Sequence, residues 1–247
     1  MPPSYITDHS QSSPLVIHQP RKGYRYSLDP FLLARFVTLK KGERVIDLGA
    51  GVGIIGLLLA TRYPDCEVLG IEIQERLLAF GKKNAEENHL NGRVTNVLGD
   101  YRKITDYCDR SSFTALVSNP PYRPLGTGRK NQNEESAAAR HELVGGLAHV
   151  AAAAEAVLRS TGRVFLIYDA ERIADLFIVL RSSGFEPKRV RFVHAREGSP
   201  ARLVMVEGRR NSGVQVTVMP PLFVWGEAGV YTEEAREMFE GLRANSY

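Results

Sequence analysis

The 247-residue chain is poor in cysteine, with two, and in tryptophan, with one. Cys66 and Cys108 stand far apart and match no metal-ligand spacing. Neither a disulfide framework nor a zinc site is expected, and the usage fits a reducing compartment. Long apolar runs are also missing: no stretch approaches the roughly 20 residues that a membrane-spanning helix needs. No basic–apolar–small opening marks an export signal. These absences predict a cytoplasmic protein with no membrane and no metal. Internal repeats, low-complexity tracts and composition breaks are lacking too. Charge of one sign is not extreme, since 32 Lys and Arg against 28 Asp and Glu leave +4. That balance admits an anionic partner such as RNA without demanding one. With 43% hydrophobic residues, the chain can bury a full core unaided.

What is present is an alternation of short apolar runs and longer amphipathic ones. Residues 1–20 are polar and rich in Ser, Pro and His, which predicts a flexible, loosely docked lead-in. Residues 21–247 are expected to form a single domain. From Arg44 onward, V-I-D-L reads as a strand and G-I-I-G-L-L-L-A-T-R as a helix, and V-L-G-I-E-I with E-R-L-L-A-F-G-K-K-N-A-E-E-N repeats the pair. R-V-T-N-V-L-G-D and F-T-A-L-V-S are further strands. The alanine-rich helix L-A-H-V-A-A-A-A-E-A-V-L-R, the strand G-R-V-F-L-I-Y-D and a helix stopped at Gly184 follow. Such alternation predicts an α/β fold with a mostly parallel, doubly wound sheet. The strands K-R-V-R-F-V-H and A-R-L-V-M-V-E are joined by too short a link for a parallel crossover, so an antiparallel hairpin is expected. V-Q-V-T-V-M should add an edge strand, and T-E-E-A-R-E-M-F a final capped helix.

The first strand runs into Asp47-Leu48-Gly49-Ala50-Gly51-Val52-Gly53. Glycines there let the backbone turn tightly and approach a ligand, to which the next helix presents its N-terminus. Glu72 closes the second strand at the spacing of a carboxylate that grips ribose hydroxyls. A nucleoside-containing cofactor is therefore expected. Gly51, Gly53 and Gly56 also satisfy G-x-G-x-x-G, the dinucleotide fingerprint. Asp47 argues against a dinucleotide, because an acid at the loop repels a pyrophosphate and suits a ligand bearing an ammonium. The antiparallel hairpin is likewise unusual in a dinucleotide domain.

D-x-G-x-G-x-G with an acid after the second strand resembles the S-adenosyl-L-methionine site of class I methyltransferases. The resemblance implies a Rossmann-like sheet and that cofactor. It assigns cofactor binding to Asp47, Gly49, Ala50, Gly51, Gly53, Glu72 and Ile73, with Asp100 and Tyr101 beside the adenine. Asp100 reads also as an N-cap for R-K-I-T-D. The stretch L-V-S-N-P-P-Y then ends a strand at the crevice where ligands of open α/β sheets bind. Asn119-Pro120-Pro121-Tyr122 resembles the [DNS]-P-P-[YF] signature of enzymes that methylate a planar nitrogen. The lone pair of such a nitrogen lies in the π system, which makes it a poor nucleophile. The Asn119 side-chain oxygen and the Pro120 carbonyl would draw its N–H groups out of plane. Consecutive prolines hold that carbonyl rigidly. Tyr122, beside Pro121, supplies a flat face on which a base stacks. The resemblance makes Asn119, Pro120 and Tyr122 the candidate catalytic residues and implies that Asn119 also borders the cofactor.

G-Y-R-Y-S-L-D-P-F-L-L-A, Gly23 to Ala34, is similar to the leader of the tRNA1(Val) adenine-N6-methyltransferase family. N-P-P-Y-R-P-L-G-T-G-R and R-E-G-S-P-A-R-L-V-M-V-E-G resemble that family too. The resemblance implies transfer of a methyl group to adenine N6 of a tRNA, with the base flipped from its stack. It places Ser27 and Asp29 over the cofactor; the pair reads equally as a helix cap opening P-F-L-L-A-R. Protein-glutamine N5 and ribosomal guanine-N2 methyltransferases share the tetrapeptide and stand as alternatives, as does a non-catalytic cofactor-binding subunit. The segment before the first strand is too short for the extra N-terminal domains of those two enzyme groups. The polar stretch between Arg123 and Arg140 is long for a connection and reads as a substrate loop. Arg123, Arg129 and Lys130 would meet RNA phosphates there, joined by Arg189, Arg191, Arg196, Arg209 and Arg210 of the hairpin.

Overall fold

The computed structural model describes residues 5–9, 15–21, 27–120 and 146–240. An antiparallel ribbon, β1 (Tyr5–His9) and β2 (Val16–Pro20), comes first, followed by helix α1 (Asp29–Phe36). The alternation then appears as read: β3 (Arg44–Leu48), α2 (Ile54–Arg62), β4 (Glu67–Glu72), α3 (Glu75–Glu87), β5 (Val94–Leu98) and β6 (Phe113–Ser118). Helix α4 (Leu147–Val157), β7 (Leu158–Asp169) and α5 (Ile173–Ser182) continue it. The hairpin is β8 (Phe185–His194) with β9 (Ala201–Arg210), and β10 (Thr217–Val218), β11 (Leu222–Phe223) and α6 (Glu233–Glu240) close the chain.

Strands β3 to β7 are parallel in the order β7-β6-β3-β4-β5. Beyond β7 the hairpin continues the sheet antiparallel, with β9 against β7 and β8 outermost, and β10 and β11 both pair with β8. Successive strand residues feed opposite faces. Val45, Val117, Phe165 and Ile167 pack with α1, α2, α3 and α6. Ile46, Leu48, Leu116 and Leu166 pack with α4, α5 and the short turn Tyr101–Asp106. Helices on both faces bury the strands on both sides, which is why their sequences are almost continuously apolar. The doubly wound, mostly parallel sheet, the hairpin and the edge strand are as expected. So is the cap of α6, where the Thr232 hydroxyl accepts the Ala235 N–H at 3.1 Å.

The lead-in differs from expectation. From Leu15 to Pro20 the chain is docked, and Leu15 and Ile17 enter the core. The cause lies about seventy residues downstream, on α3. Asn88 bonds both backbone groups of Val16, at 2.8 Å each, and Asn84 accepts the His18 N–H at 2.8 Å and donates to its carbonyl at 3.0 Å. Two side-chain amides thus mimic a neighbouring strand. Both cysteines are free thiols, and burial pushes that of Cys66 up to about 11. Among the described residues, no helix is long and apolar enough to cross a membrane, and no group of three His, Cys, Asp or Glu is placed to hold a metal.

Candidate active site

The glycine turn after β3 has Gly49, Gly51 and Gly53 at φ of 73°, 59° and 79°, a region costly for any residue with a Cβ. Its amides are engaged inside the protein. Gly49 and Ala50 both donate to the Ile71 carbonyl, at 2.9 and 3.1 Å, and Gly53 donates to Ala50 at 2.8 Å. Gly51 donates to Glu72 Oε2 at 2.8 Å. This turn does not offer these N–H groups to a phosphate, and two buried carboxylates stand against it.

Asp47 is one of them. Alternation along β3 puts its side chain on the face of Val45, beneath α1 and α2. It is 1% exposed, and neither oxygen has a hydrogen-bond partner among the described residues. Burial foremost, then the charge of Glu72, pushes its carboxyl up to about 7; the Gly56 amide offsets part of the rise without closing a bond of normal geometry. Glu72 is raised by burial too, and the N–H groups of Gln74, Gly51 and Ile73 pull it back. An orphaned, buried acid calls for a ligand with cationic donors.

Next to Glu72 the surface turns apolar. Ile73 is 39% and Leu98 46% exposed, and Leu98 pairs in register with Glu72. Two uncovered aliphatic side chains beside a carboxylate offer a wall for a flat ring. Leu98 was not expected as a site residue; a leucine ending a strand closed by L-G-D was the available signal. Asp100 acts as the cap: its carboxylate accepts the Arg102 N–H at 3.0 Å and pairs with the Arg102 guanidinium at 2.5 Å. That hydrogen bond holds its carboxyl below the usual range. The Tyr101 ring enters the core under α4. Ser27 accepts the Asp29 N–H at 3.3 Å, in the opening turn of α1.

Asn119 and Pro120 stand beside the glycine turn. β3 and β6 are adjacent and parallel, with Leu48 opposite Ser118. Gly49 and Asn119 are the next residues on each. The Ser118 hydroxyl donates to the Leu48 carbonyl at 2.7 Å and locks the two strand ends together. Pro120 is buried. Pro121, Tyr122, Arg123, Arg129 and Lys130 lie outside the described residues.

The hairpin arginines do not gather at the crevice. Arg189 and Arg209 both pair with buried Glu207, at 3.0 and 2.7 Å. Arg191 pairs with Glu234 at 2.5 Å, and Arg210 donates to the Glu155 and Leu158 carbonyls at 3.0 Å each. Arg209 stands opposite Arg163 in β7, toward the far end of the sheet. Arg196 alone of the five lies in the turn between β8 and β9, exposed, at the Asn119 end of the sheet.

A plug between glycines was also missed. Asn96 of β5 fills the space bounded by Gly53, Gly70 and Gly81, and donates to the Gly81 carbonyl at 3.2 Å. A Cβ at Gly70 would lie 2.2 Å from Asn96 Oδ1 and 2.9 Å from the Ala50 Cβ.

The profile of the methyltransferase small domain family matches residues 29–175. A tRNA1(Val) (adenine(37)-N6)-methyltransferase of Pedobacter heparinus is 26% identical over 213 residues, covering 85% of this chain and 86% of that one. The crystal structure of a predicted O-methyltransferase from Agrobacterium tumefaciens superposes with a TM-score of 0.71 at 21% identity, over 87% of this chain and 97% of that one. The [4+2]-cyclase SpnF shares the fold as well, with a TM-score of 0.54 at 16% identity over 74% of this chain and 80% of that one, so the fold by itself does not set the chemistry. The orphaned Asp47, the glycine turn and the exposed Ile73 and Leu98 fit S-adenosyl-L-methionine, which bears an ammonium, a ribose and an adenine. With the profile matching more than half of its length, the chain belongs to the methyltransferase small domain family and is a methyltransferase that uses S-adenosyl-L-methionine.

Proposed function

We propose that this methyltransferase modifies the exocyclic amine of adenine, N6, in a tRNA, in the cytoplasm. The observation that carries the reading is the placement of Asn119 and Pro120 one step past the Leu48–Ser118 pair, beside the glycine turn. The Pedobacter relative's name supports the choice of base and RNA. S-adenosyl-L-methionine supplies an electrophilic methyl group when bound. The residues do the rest by position. The Asn119 oxygen and the Pro120 carbonyl accept the amine's hydrogens and turn its lone pair outward, as preorganised dipoles. Tyr122 offers the stacking face. Asp47 and Glu72 would hold the ammonium and ribose ends, and Ile73 and Leu98 would flank the adenine. Holding the two reactants in line would supply a large share of the rate. As the N–CH3 bond forms the S–CH3 bond breaks, leaving the thioether S-adenosylhomocysteine. The nitrogen, acidic once it is cationic, would release its proton to water, so no strong base is needed. The test is mass spectrometry of nucleosides from tRNA incubated with the protein and isotope-labelled cofactor. N6-methyladenosine is expected. N2-methylguanosine, or label in a glutamine-bearing peptide instead of RNA, would replace this reading.

Asp47 makes cofactor binding pH-dependent. In the free protein its carboxyl titrates near 7, against 3.8 for an unperturbed one. Keeping it charged inside the fold costs about 4 kcal/mol once the pH exceeds 7, at 1.36 kcal/mol per pH unit. This group's effect is to lower stability as pH rises from about 4 to 7. A bound ammonium reverses the preference, so affinity for S-adenosylhomocysteine should rise with pH up to about 7. Below that pH, binding should release close to one proton. Calorimetry in buffers of different ionisation enthalpy reads the release directly, and Asp47→Asn should abolish it.

A further inference from the structure

We propose that Gln19 is a further cofactor-binding residue, its amide oxygen receiving the ammonium at the amino-acid end of S-adenosyl-L-methionine, on the same face of the sheet as Asp47. The inference rests on the cofactor assignment above and extends it to a strand outside the matched region.

Gln19 is 1% exposed, and its Oε1 has no hydrogen-bond partner among the described residues. Among those residues, the buried side-chain oxygens without partners are three: the two of Asp47 and this one. A buried acceptor without a donor is unfavourable in a free protein. It persists where a ligand supplies the donor. An ammonium carries three N–H donors and no acceptor, which matches three orphaned oxygens in number and in kind.

The placement of β2 supports the convergence. Residues two apart on a strand share a face, so Gln19 lies on the face of Ile17. Ile17 belongs to the core that also contains Val52 of the glycine turn, Phe31 of α1 and Val45 of β3. Asp47 shares the face of Val45 by the same alternation. Asn84 Nδ2 donates to the His18 carbonyl and to the Val52 carbonyl, at 3.0 Å each. One amide nitrogen thus touches both the glycine turn and the residue before Gln19. His18 falls on the opposite face of β2, where its Nε2 lies 3.8 Å from Glu87, and is outside this set.

The test compares two ligands. S-adenosylhomocysteine carries the amino-acid end; 5′-methylthioadenosine has the adenosine and the thioether without it. Gln19→Leu should weaken S-adenosylhomocysteine about tenfold and leave 5′-methylthioadenosine unchanged. The thermal midpoint of the ligand-free variant should not fall, because the change removes an unmatched buried oxygen. Gln19→Glu, which keeps an acceptor, should hold S-adenosylhomocysteine within about threefold of the parent. S-adenosylhomocysteine affinity in Gln19→Leu equal to that of the parent protein overturns the proposal. So does a parallel loss of both, or a lower midpoint without ligand, since either makes Gln19 structural. If the parent protein binds neither ligand, the cofactor assignment itself fails and takes this inference with it.

Discussion

Asn119→Ala is expected to slow methyl transfer about a thousandfold while leaving affinity for S-adenosylhomocysteine within about threefold. Losing one preorganised hydrogen-bonding group at a reacting centre costs on the order of 100- to 1000-fold in rate. The upper figure applies because few other groups act on the amine. Asn119 follows a strand end held to its neighbour by the bond from Ser118 to the Leu48 carbonyl. The backbone should therefore keep its course when the amide is cut back. Asn119→Asp keeps acceptor oxygens at the position and should retain activity within about tenfold of the parent. Single-turnover rates with labelled cofactor, alongside equilibrium binding of S-adenosylhomocysteine, separate the two effects. A matched loss of rate and affinity in the alanine variant would make Asn119 a support for the cofactor pocket instead.

Gly70→Ala should be strongly damaging to this fold. The new Cβ would overlap Asn96 Oδ1 at 2.2 Å and crowd the Ala50 Cβ at 2.9 Å. Asn96 cannot retreat easily, since Gly53 and Gly81 confine it on other sides and it is bonded to the Gly81 carbonyl. Overpacking of this kind costs about 3 kcal/mol, or roughly 6–12 °C in thermal midpoint for a protein of this size. Because Ala50 is pushed as well, the cofactor pocket should deform, and affinity for S-adenosylhomocysteine should fall about tenfold or more. Combining Gly70→Ala with Asn96→Ala makes room, so the double variant should be less destabilised than the two single losses together. Strict additivity would place the strain elsewhere.

Much of this was legible because it is local. V-I-D-L followed by D-L-G-A-G-V-G needs only a parallel strand and a tight turn, and β3 with α2 supplies both. The link between β8 and β9 was too short for anything but a hairpin. Asn119 could be placed beside Gly49 because a strand of a wound sheet that ends in polar residues ends at the crevice. What stayed hidden depends on distant partners. V-I-H-Q-P looks like the polar start of a frayed segment, and nothing near it announces that Asn84 and Asn88 will bond its backbone. The hairpin arginines looked like phosphate ligands because Glu207 and Glu234 become their neighbours only after folding. Gly70 read as an ordinary strand residue until Asn96 was seen against it. Asp100 carried two readings, and the fold shows the cap with Arg102 closing on it.

The amides of α3 that grip β2 carry a practical lesson about excision. The family profile begins at residue 29, and trimming the gene to that start would strip Asn84 and Asn88 of most of their hydrogen bonds. It would also peel Leu15 and Ile17 from the apolar interior. The region shared with the family is thus shorter than the unit that holds together mechanically, which is splinted from outside by its own leader.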